Sequence, residues 1–587
     1  MVQRERRRWQ NVWYRYLQTI PELVKYQLVT KLALAVVLYA LGNASQWAIE
    51  SAGRVAVTSG DFLFLFTSWQ GLLLIVLGLA VLFFYIALEL NTKIWYCSQI
   101  IRGEDAPVSK ALGFGVAGMR RFFNPAGLLV ILYVGLIVPI AGFGLSISLT
   151  SRIYIPSFIT SVITGTPLYL AIYAIVFVGL VVLGILHAFV LHIVLLDRVG
   201  VREALTRSRQ MVRQNLRSFL VQTLLFNLRC TLAAALLIFV AMVPASVVYA
   251  SGGPRVLLLF LVLSGAAVSS FASFLLDPFF VLKLTQLYYE YSRGEKVTIP
   301  ARDKRHHPLA MATVVASVAA LSIAATVMDV YYDLLFPSQA ETRVIAHRGG
   351  GADGPENTVR GVEIAIAEGA YGSETDIQRT LDGHYVINHD ATFERLTGSP
   401  RKPSELTLAQ VKELRLKESG EPIPTLEEML DASKGRIVLF VELKGETADR
   451  QMADDAVRMV RERQMTDEVV LISLNYDLID YIESTYPEMQ TGFLAWLAYG
   501  DTASLHCDYL GLEAESATTS VIESIHNQGK LALVWTPNTI SEQEHFFCSE
   551  ADAIITDNVA QAADVRAELS KRSDLERLLD ELLQGPL

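Results

Sequence analysis

Seven stretches of about 20 mainly apolar residues, each long enough to cross a hydrocarbon layer of roughly 30 Å, crowd into the first 338 positions of the chain. They lie at 32–49, 62–90, 125–150, 167–196, 218–250, 255–282 and 309–335. A water-soluble core has no use for so many, so residues 32–338 are expected to form an α-helical membrane domain with about seven transmembrane helices. Charge divides at the same place: residues 1–338 hold 28 Lys and Arg against 15 Asp and Glu, whereas 339–587 hold 22 against 45. Two physically different halves share one chain. Intrinsic disorder and a collagen-like fibre are excluded by this composition, and four Cys cannot staple a disulfide scaffold. A nucleic-acid partner is not expected, because an acidic half is repelled by phosphates.

Cationic flanks are retained on the cytoplasmic side during insertion, so Lys and Arg counts give orientation. Residues 1–31 carry seven, the next loop only Arg54, and 91–124 five; Arg152 then stands alone, 197–217 carry six, Arg255 stands alone, and 283–308 carry six. This alternation predicts a cytoplasmic N-terminus and, after seven spans, an extracytoplasmic C-terminal half in the plasma membrane. Residues 1–31 mix Arg4, Arg6, Arg7, Arg8 and Arg15 with Trp9, Trp13, Tyr14 and Tyr16. That pattern reads as a cytoplasmic interfacial amphipathic segment against membrane lipid. The stretches 108–121 and 201–213 are faintly alike, each with an Ala-Leu pair, as a weak duplication or as any two juxtamembrane helices would be. Inside the spans, Arg229 and Asp277 are expected to neutralise one another, and His187 and His192 to pack.

Past 337–340, a short polar interruption, 249 residues remain, close to the roughly 250 of a single (β/α)8 barrel. Short β-branched runs at 344–346, 385–387, 437–441, 469–472, 509–512, 531–535 and 553–555 alternate with helical stretches such as 359–368 and 448–463. A TIM barrel over 339–587 is therefore predicted. In such barrels the active site is built at the C-terminal strand ends, and there the unusual residues cluster: His347-Arg348-Gly349-Gly350-Gly351, Pro355-Glu356-Asn357-Thr358, Glu374-Thr375-Asp376, Asn388-His389-Asp390, Glu442-Leu443-Lys444 and Trp535-Thr536-Pro537-Asn538.

Asp382-Gly383 between extended runs signals a two-residue hairpin, which would set Asp376 directly opposite His389; a three-residue loop would shift that register by one. Glu374 and Asp376, two apart on a strand, leave the same face. With Glu442 they form an oxygen-only set suited to a hard cation, Mg2+ or Ca2+, rather than zinc. His347 and His389 beside such a site titrate near neutrality and can exchange protons. Arg348, Lys444 and the glycine turn offer a fork, a point charge and backbone N–H groups to a phosphate. Trp535 serves equally as core or as a ligand platform.

These motifs, across about 343–558, resemble the glycerophosphodiester phosphodiesterases in their bacterial membrane-anchored form. The resemblance implies metal-dependent hydrolysis of a glycerophosphodiester to sn-glycerol 3-phosphate and an alcohol. By it, His347 and His389 are the paired histidines, Glu374, Asp376 and Glu442 the metal carboxylates, and Arg348 and Lys444 the phosphate contacts, with Trp535 on the substrate side. The sequence departs from the family at Gly351-Ala352, where a small hydroxyl residue is common, at Pro537 within the Trp-Thr-x-Asn segment, and at Asn558, where proline is common. Candidate substrates at the outer face are deacylated phospholipids, lysophospholipids and glycerophosphate polymers. A barrel that only binds or senses such a phosphodiester lipid or wall polymer is the competing reading, and a transporter with an attached processing enzyme is a third. The sequence leaves open the alcohol, the metal, which histidine is acid and which base, any Cys507–Cys548 pairing and the oligomeric state.

Overall fold

The computed structural model describes residues 15–58, 62–133, 163–164, 166–300, 308–331, 342–495 and 498–572. The chain divides into two compact units, one of residues 1–47, 72–155 and 159–332, the other of residues 48–71, 156–158 and 333–587.

In the first unit, Arg15–Ser51, Trp69–Arg102, Pro167–Asp197, Leu216–Ala250 and Arg255–Arg293 are helices long and apolar enough to cross a membrane, with mean hydropathies of 1.6 to 2.8. Their outward surfaces are themselves apolar, as at Ile175, Leu224 and Phe239, and a helix apolar on all sides needs a nonaqueous surround. The third predicted span begins as the helix Pro125–Leu132, started by Asn124, whose side chain accepts the Gly127 N–H, and by Pro125 at the first helical position. Its continuation over 134–150 falls outside the described residues. The seventh is the helix Pro308–Val330. Residues 1–14 of the interfacial segment also fall outside, and 20–31 are continuous with the first span in Ile20–Ser51. The two look-alike stretches are both helical, Val108–Gly118 and Val201–Gln214. In the second, Val201, Ala204, Ser208 and Val212 form the buried stripe expected at helical spacing.

One expectation about this unit is corrected. Asp277 takes its cation from Lys93 rather than from Arg229, and Lys93 Nζ also donates to Glu89 Oε1 at 2.9 Å. All three side chains are buried, and an ion pair taken out of water holds only through close hydrogen-bonded contact. His192 packs as expected, its Nε2 3.1 Å from Thr285 Oγ1 and its ring edge-on to Phe189.

In the second unit eleven strands are described: β1 (Ala56–Thr58), β2 (Arg343–Ala346), β3 (Gly372–Arg379), β4 (Tyr385–Ile387), β5 (Val438–Leu443), β6 (Val469–Ser473), β7 (Gln490–Ala495), β8 (Ala498–Gly500), β9 (Tyr509–Glu513), β10 (Leu531–Trp535) and β11 (Ala553–Thr556). Parallel pairing runs β2-β11-β10-β9-β7-β6-β5-β3, and β2 pairs with β3 to close an eight-stranded TIM barrel. β4 hangs antiparallel on β3, so one predicted run is a hairpin arm and not a barrel stave. β1 and β8 form a separate antiparallel ladder. Ile345, Phe440, Val470, Ile472, Leu494, Tyr509, Leu533, Ala553 and Ile555 fill the ring. A larger apolar layer, including Val362, Met429, Val457 and Ile525, lies between strands and helices. Cys507 and Cys548 form no disulfide.

Candidate active site

Side chains alternate along a strand, so the residues two places beyond the ring-filling Ile345, Phe440 and Leu533 also point toward the barrel axis, at its C-terminal mouth. These are His347, Glu442 and Trp535. Register sets their heights: Ala346 pairs with Ser373, which levels His347 with Glu374, and Asp376 pairs with Glu442. Glu374, Asp376 and Glu442 are buried, and one oxygen from each lies within 4.8 Å of the others. The predicted carboxylate trio therefore converges.

Its electrostatics are those of a site with more negative charge than its protein partners offset. Burial, with repulsion from Asp376 and Glu442, pushes the Glu374 carboxyl well above its usual range. Burial likewise raises Glu442, to about 7, although Lys444 opposes this. Burial also works against the Asp376 anion, but Lys444, His389 and Arg348 outweigh it and hold this carboxyl below its usual range. Lys444 Nζ lies 3.1 Å from both Asp376 Oδ1 and Glu442 Oε2. Asn357 Nδ2 donates to Asp376 Oδ2 at 2.9 Å, and its own Oδ1 accepts from Thr375 Oγ1. A trio of oxygens, short of positive charge and oriented from behind, fits a hard divalent cation.

Each histidine carries a carboxylate on Nδ1. His347 Nδ1 is 2.7 Å from Asp557 Oδ1, and Asp557 is fixed by Asn538, whose Nδ2 donates to Oδ2 at 2.6 Å. The opposite ring nitrogen, Nε2, lies 4.0 Å from Glu374 Oε2. His389 Nδ1 is 2.9 Å from Asp390 Oδ1. Burial, reinforced by Lys444 and Arg348, lowers the His389 pKa against the pull of Asp390 and Asp376. A carboxylate at Nδ1 selects the tautomer that leaves Nε2 bare for proton transfer.

The predicted hairpin register is wrong by one residue. Ile377 pairs with Ile387 and Arg379 with Tyr385, while Thr380 N–H donates to His384 O, so the loop holds the three residues 381–383. Gly383 sits at φ +84°, the left-handed position that ends such loops. Asp376 O thus accepts from Asn388 N–H, and His389 lies one residue beyond that position.

Arg348 adopts φ +51°, uncommon for any residue that carries a Cβ. Its N–H donates to Glu374 Oε2 at 2.8 Å and its Nη1 to Glu356 Oε1 at 3.1 Å. Its Nε is buried with no hydrogen-bond partner among the described residues, a donor available to an anion. Trp535 is half-buried, packed against the ring-filling cluster and registered beside Glu513. Two residues of this constellation, Asp557 and Arg395, were not foreseen. Asp557 follows β11, so the same strand-end rule that selects His347 would have selected it.

Residues 9–326 match the family described as the membrane domain of glycerophosphoryl diester phosphodiesterase, and residues 347–561 match the glycerophosphoryl diester phosphodiesterase family. The chain is similar to a glycerophosphodiester phosphodiesterase of Caldanaerobacter subterraneus subsp. tengcongensis, 28% identical over 235 residues, 37% of this chain and 95% of that one. It is similar to glycerophosphodiester phosphodiesterase 1 of Bos taurus, 36% identical over 125 residues, 20% of this chain and 37% of that protein. Among solved structures it is similar to an Oleispira antarctica phosphodiesterase in complex with the product sn-glycerol-3-phosphate, at 24% identity and a TM-score of 0.36, covering 38% of this chain and 96% of that one.

Proposed function

The chain belongs to the glycerophosphoryl diester phosphodiesterase family with a membrane domain, and from that premise we propose that its barrel hydrolyses glycerophosphodiesters to sn-glycerol 3-phosphate and an alcohol with the help of a divalent cation. The observation that carries this reading is the convergence of Glu374, Asp376 and Glu442 within 4.8 Å beside His347 and His389, each backed by its own carboxylate. A module that only binds has no use for two histidines in that arrangement.

Glu374, Asp376 and Glu442 would hold Mg2+ or Ca2+. When bound, the ion supplies Lewis-acid stabilisation of charge on a non-bridging phosphate oxygen. Arg348, through its buried Nε, and Lys444 bring donors to the phosphate and offset the charge that grows in the transition state. Asp390 and Asp557 orient the two imidazoles and stabilise their protonated forms. One Nε2 removes the proton of the attacking hydroxyl and the other donates a proton to the departing alkoxide. Attack by water gives sn-glycerol 3-phosphate directly, whereas attack by the glycerol 2-hydroxyl gives a cyclic phosphodiester that water opens in a second step with the two histidines in exchanged roles. Trp535 borders the mouth where the glycerol or the alcohol lies.

The domain scheme belongs to the same proposal: residues 1–31 as a cytoplasmic interfacial segment, 32–338 as a membrane domain of about seven spans, and 339–587 as an extracytoplasmic catalytic barrel. Support for sidedness comes from the β1–β8 ladder inside the second unit. β1 belongs to the loop between the first two long apolar helices, where Arg54 is the lone cation, and its ladder partner β8 belongs to the catalytic half of the chain. Protease treatment of intact cells should remove the barrel, and protection of it would reverse the orientation.

The activity is tested with the full chain purified in detergent, following release of sn-glycerol 3-phosphate from glycerophosphocholine and glycerophosphoethanolamine. Release is expected, with losses of about 10²-fold or more in His347→Ala and His389→Ala. Chelator should silence the wild type, and added Mg2+ or Ca2+ restore it. Wild-type-like hydrolysis by either histidine variant would defeat the assignment.

A further inference from the structure

Arg395 stands on a short helix, Glu394–Thr397, beyond the β4 end. Its guanidinium forks twice. Nη1 and Nη2 donate to Glu356 Oε2 and Oε1 at 2.7 and 2.6 Å, and Nε and Nη2 donate to Asp390 Oδ2 and Oδ1 at 2.6 and 3.3 Å. Both carboxylates have second duties. Asp390 Oδ1 takes the His389 Nδ1 contact at 2.9 Å, and Glu356 Oε1 accepts from Arg348 Nη1 at 3.1 Å. One planar cation is thus the shared anchor of the supports of an imidazole and of a guanidinium on opposite arms of the site.

We propose that Arg395 is a positioning residue that holds His389 and Arg348 at a fixed separation through Asp390 and Glu356. Its reach follows from guanidinium geometry. A rigid fork can satisfy two carboxylates in parallel pairs, whereas an ammonium presents a single point charge and cannot. Without Arg395, two neighbouring anions repel one another and turn toward water. Asp390 then ceases to fix the His389 ring, and Glu356 ceases to hold Arg348. Misplacement of reacting groups by about 1 Å is enough to cost about 10²-fold in rate. Arg395 touches neither the carboxylate trio nor Lys444 in any hydrogen bond described above, so its contribution falls on turnover and leaves cation binding in place.

The inference rests on the hydrolytic reading, and the experiment separates the two. In the full chain, Arg395→Ala and Arg395→Lys are compared with wild type for kcat, KM, melting temperature and response to added guanidinium ion. The side chain is 46% exposed, so a small cation can enter the space left by Arg395→Ala. The expected result is a fall of about 10²-fold in kcat with a melting temperature near wild type. Guanidinium at tens of millimolar should restore at least about tenfold to Arg395→Ala, ammonium should not, and Arg395→Lys should remain impaired. Wild-type kinetics in Arg395→Ala would overturn the inference. So would a loss that guanidinium leaves untouched, because a general folding defect has no reason to respond to that ion. Absence of hydrolysis by the wild type would instead overturn the proposed function, a result visible before any variant is made.

Discussion

Asp376 and Glu442 face one another across adjacent parallel strands, and the ammonium of Lys444 lies 3.1 Å from an oxygen of each. It is a resident positive charge inside the place proposed for a divalent ion. Lys444→Met should act with opposite signs on two quantities. Turnover should fall by about 10²-fold through loss of a charge-stabilising donor. Affinity for Mg2+ or Ca2+ should rise, because a competing cation is gone. Calorimetric titration beside steady-state kinetics checks both, and weaker ion binding would count against the proposed role.

The raised carboxyls give a pH signature. Burial lifts Glu442 from the ordinary 4.5 to about 7, so between those values the folded, cation-free chain holds a proton that the unfolded chain has released. Stability from this source is complete below 4.5 and lost as pH rises through 7. In chelator, the melting temperature of wild type should therefore decline over that window more steeply than that of Glu442→Gln. Saturating Mg2+ or Ca2+ at neutral pH should remove the wild-type penalty. Equal slopes in chelator would refute the assignment.

Gly351 has φ +64°, and a Cβ there would meet Asp557 O at 2.3 Å. Gly369 has a similar φ, +76°, with nothing within 4 Å. Alanine at either position should cost about 1 kcal/mol or more through the left-handed backbone. Only Gly351→Ala should also displace Asp557 from His347 and cut turnover, by about tenfold or more. Paired melting and activity measurements on the two variants separate strain from displacement.

Asp557→Asn keeps the volume of the His347 partner and removes its charge. The ring can then adopt the other tautomer, and the protonated form loses its counter-ion. A drop of about 10²-fold in kcat with KM little changed is expected. A KM effect alone would place Asp557 in binding.

In the membrane unit, Lys93→Met leaves the buried carboxylates of Glu89 and Asp277 without the cation that bonds to both. Breaking a buried pair from one side costs about 3–5 kcal/mol. Thermal melting of the detergent-solubilised protein should register it, and an unchanged melting temperature would show that the cluster is not held by Lys93.

Much of the site was legible because its residues lie at or just past the C-terminal ends of short strands, and strand ends are local in sequence. His347, Glu442 and Lys444 are of this kind. β3 was harder to read as a barrel stave: Ser373 to Gln378 are all buried, yet six of its eight residues are polar or charged, since the buried face carries the carboxylates. β7 was missed because Gln490, Thr491 and Gly492 dilute its apolar run. The β3–β4 register was misjudged because Asp-Gly suits loops of two or three residues, and local sequence does not choose between them. Arg395 gave no signal, since a surface arginine on a four-residue helix gains meaning only from the two carboxylates folded beneath it. Lys93 was hidden in the same way, lying 184 residues from Asp277.

His347 follows the first stave of the barrel and Asp557 the last, and they meet because β11 docks on β2. Ring closure and imidazole orientation are consequently one event. Until its final stave is made, the chain's first histidine has no carboxylate at Nδ1 to align it. The last strand to leave the ribosome therefore supplies the group that sets the first histidine, and alignment of that imidazole is the final step in assembling the site.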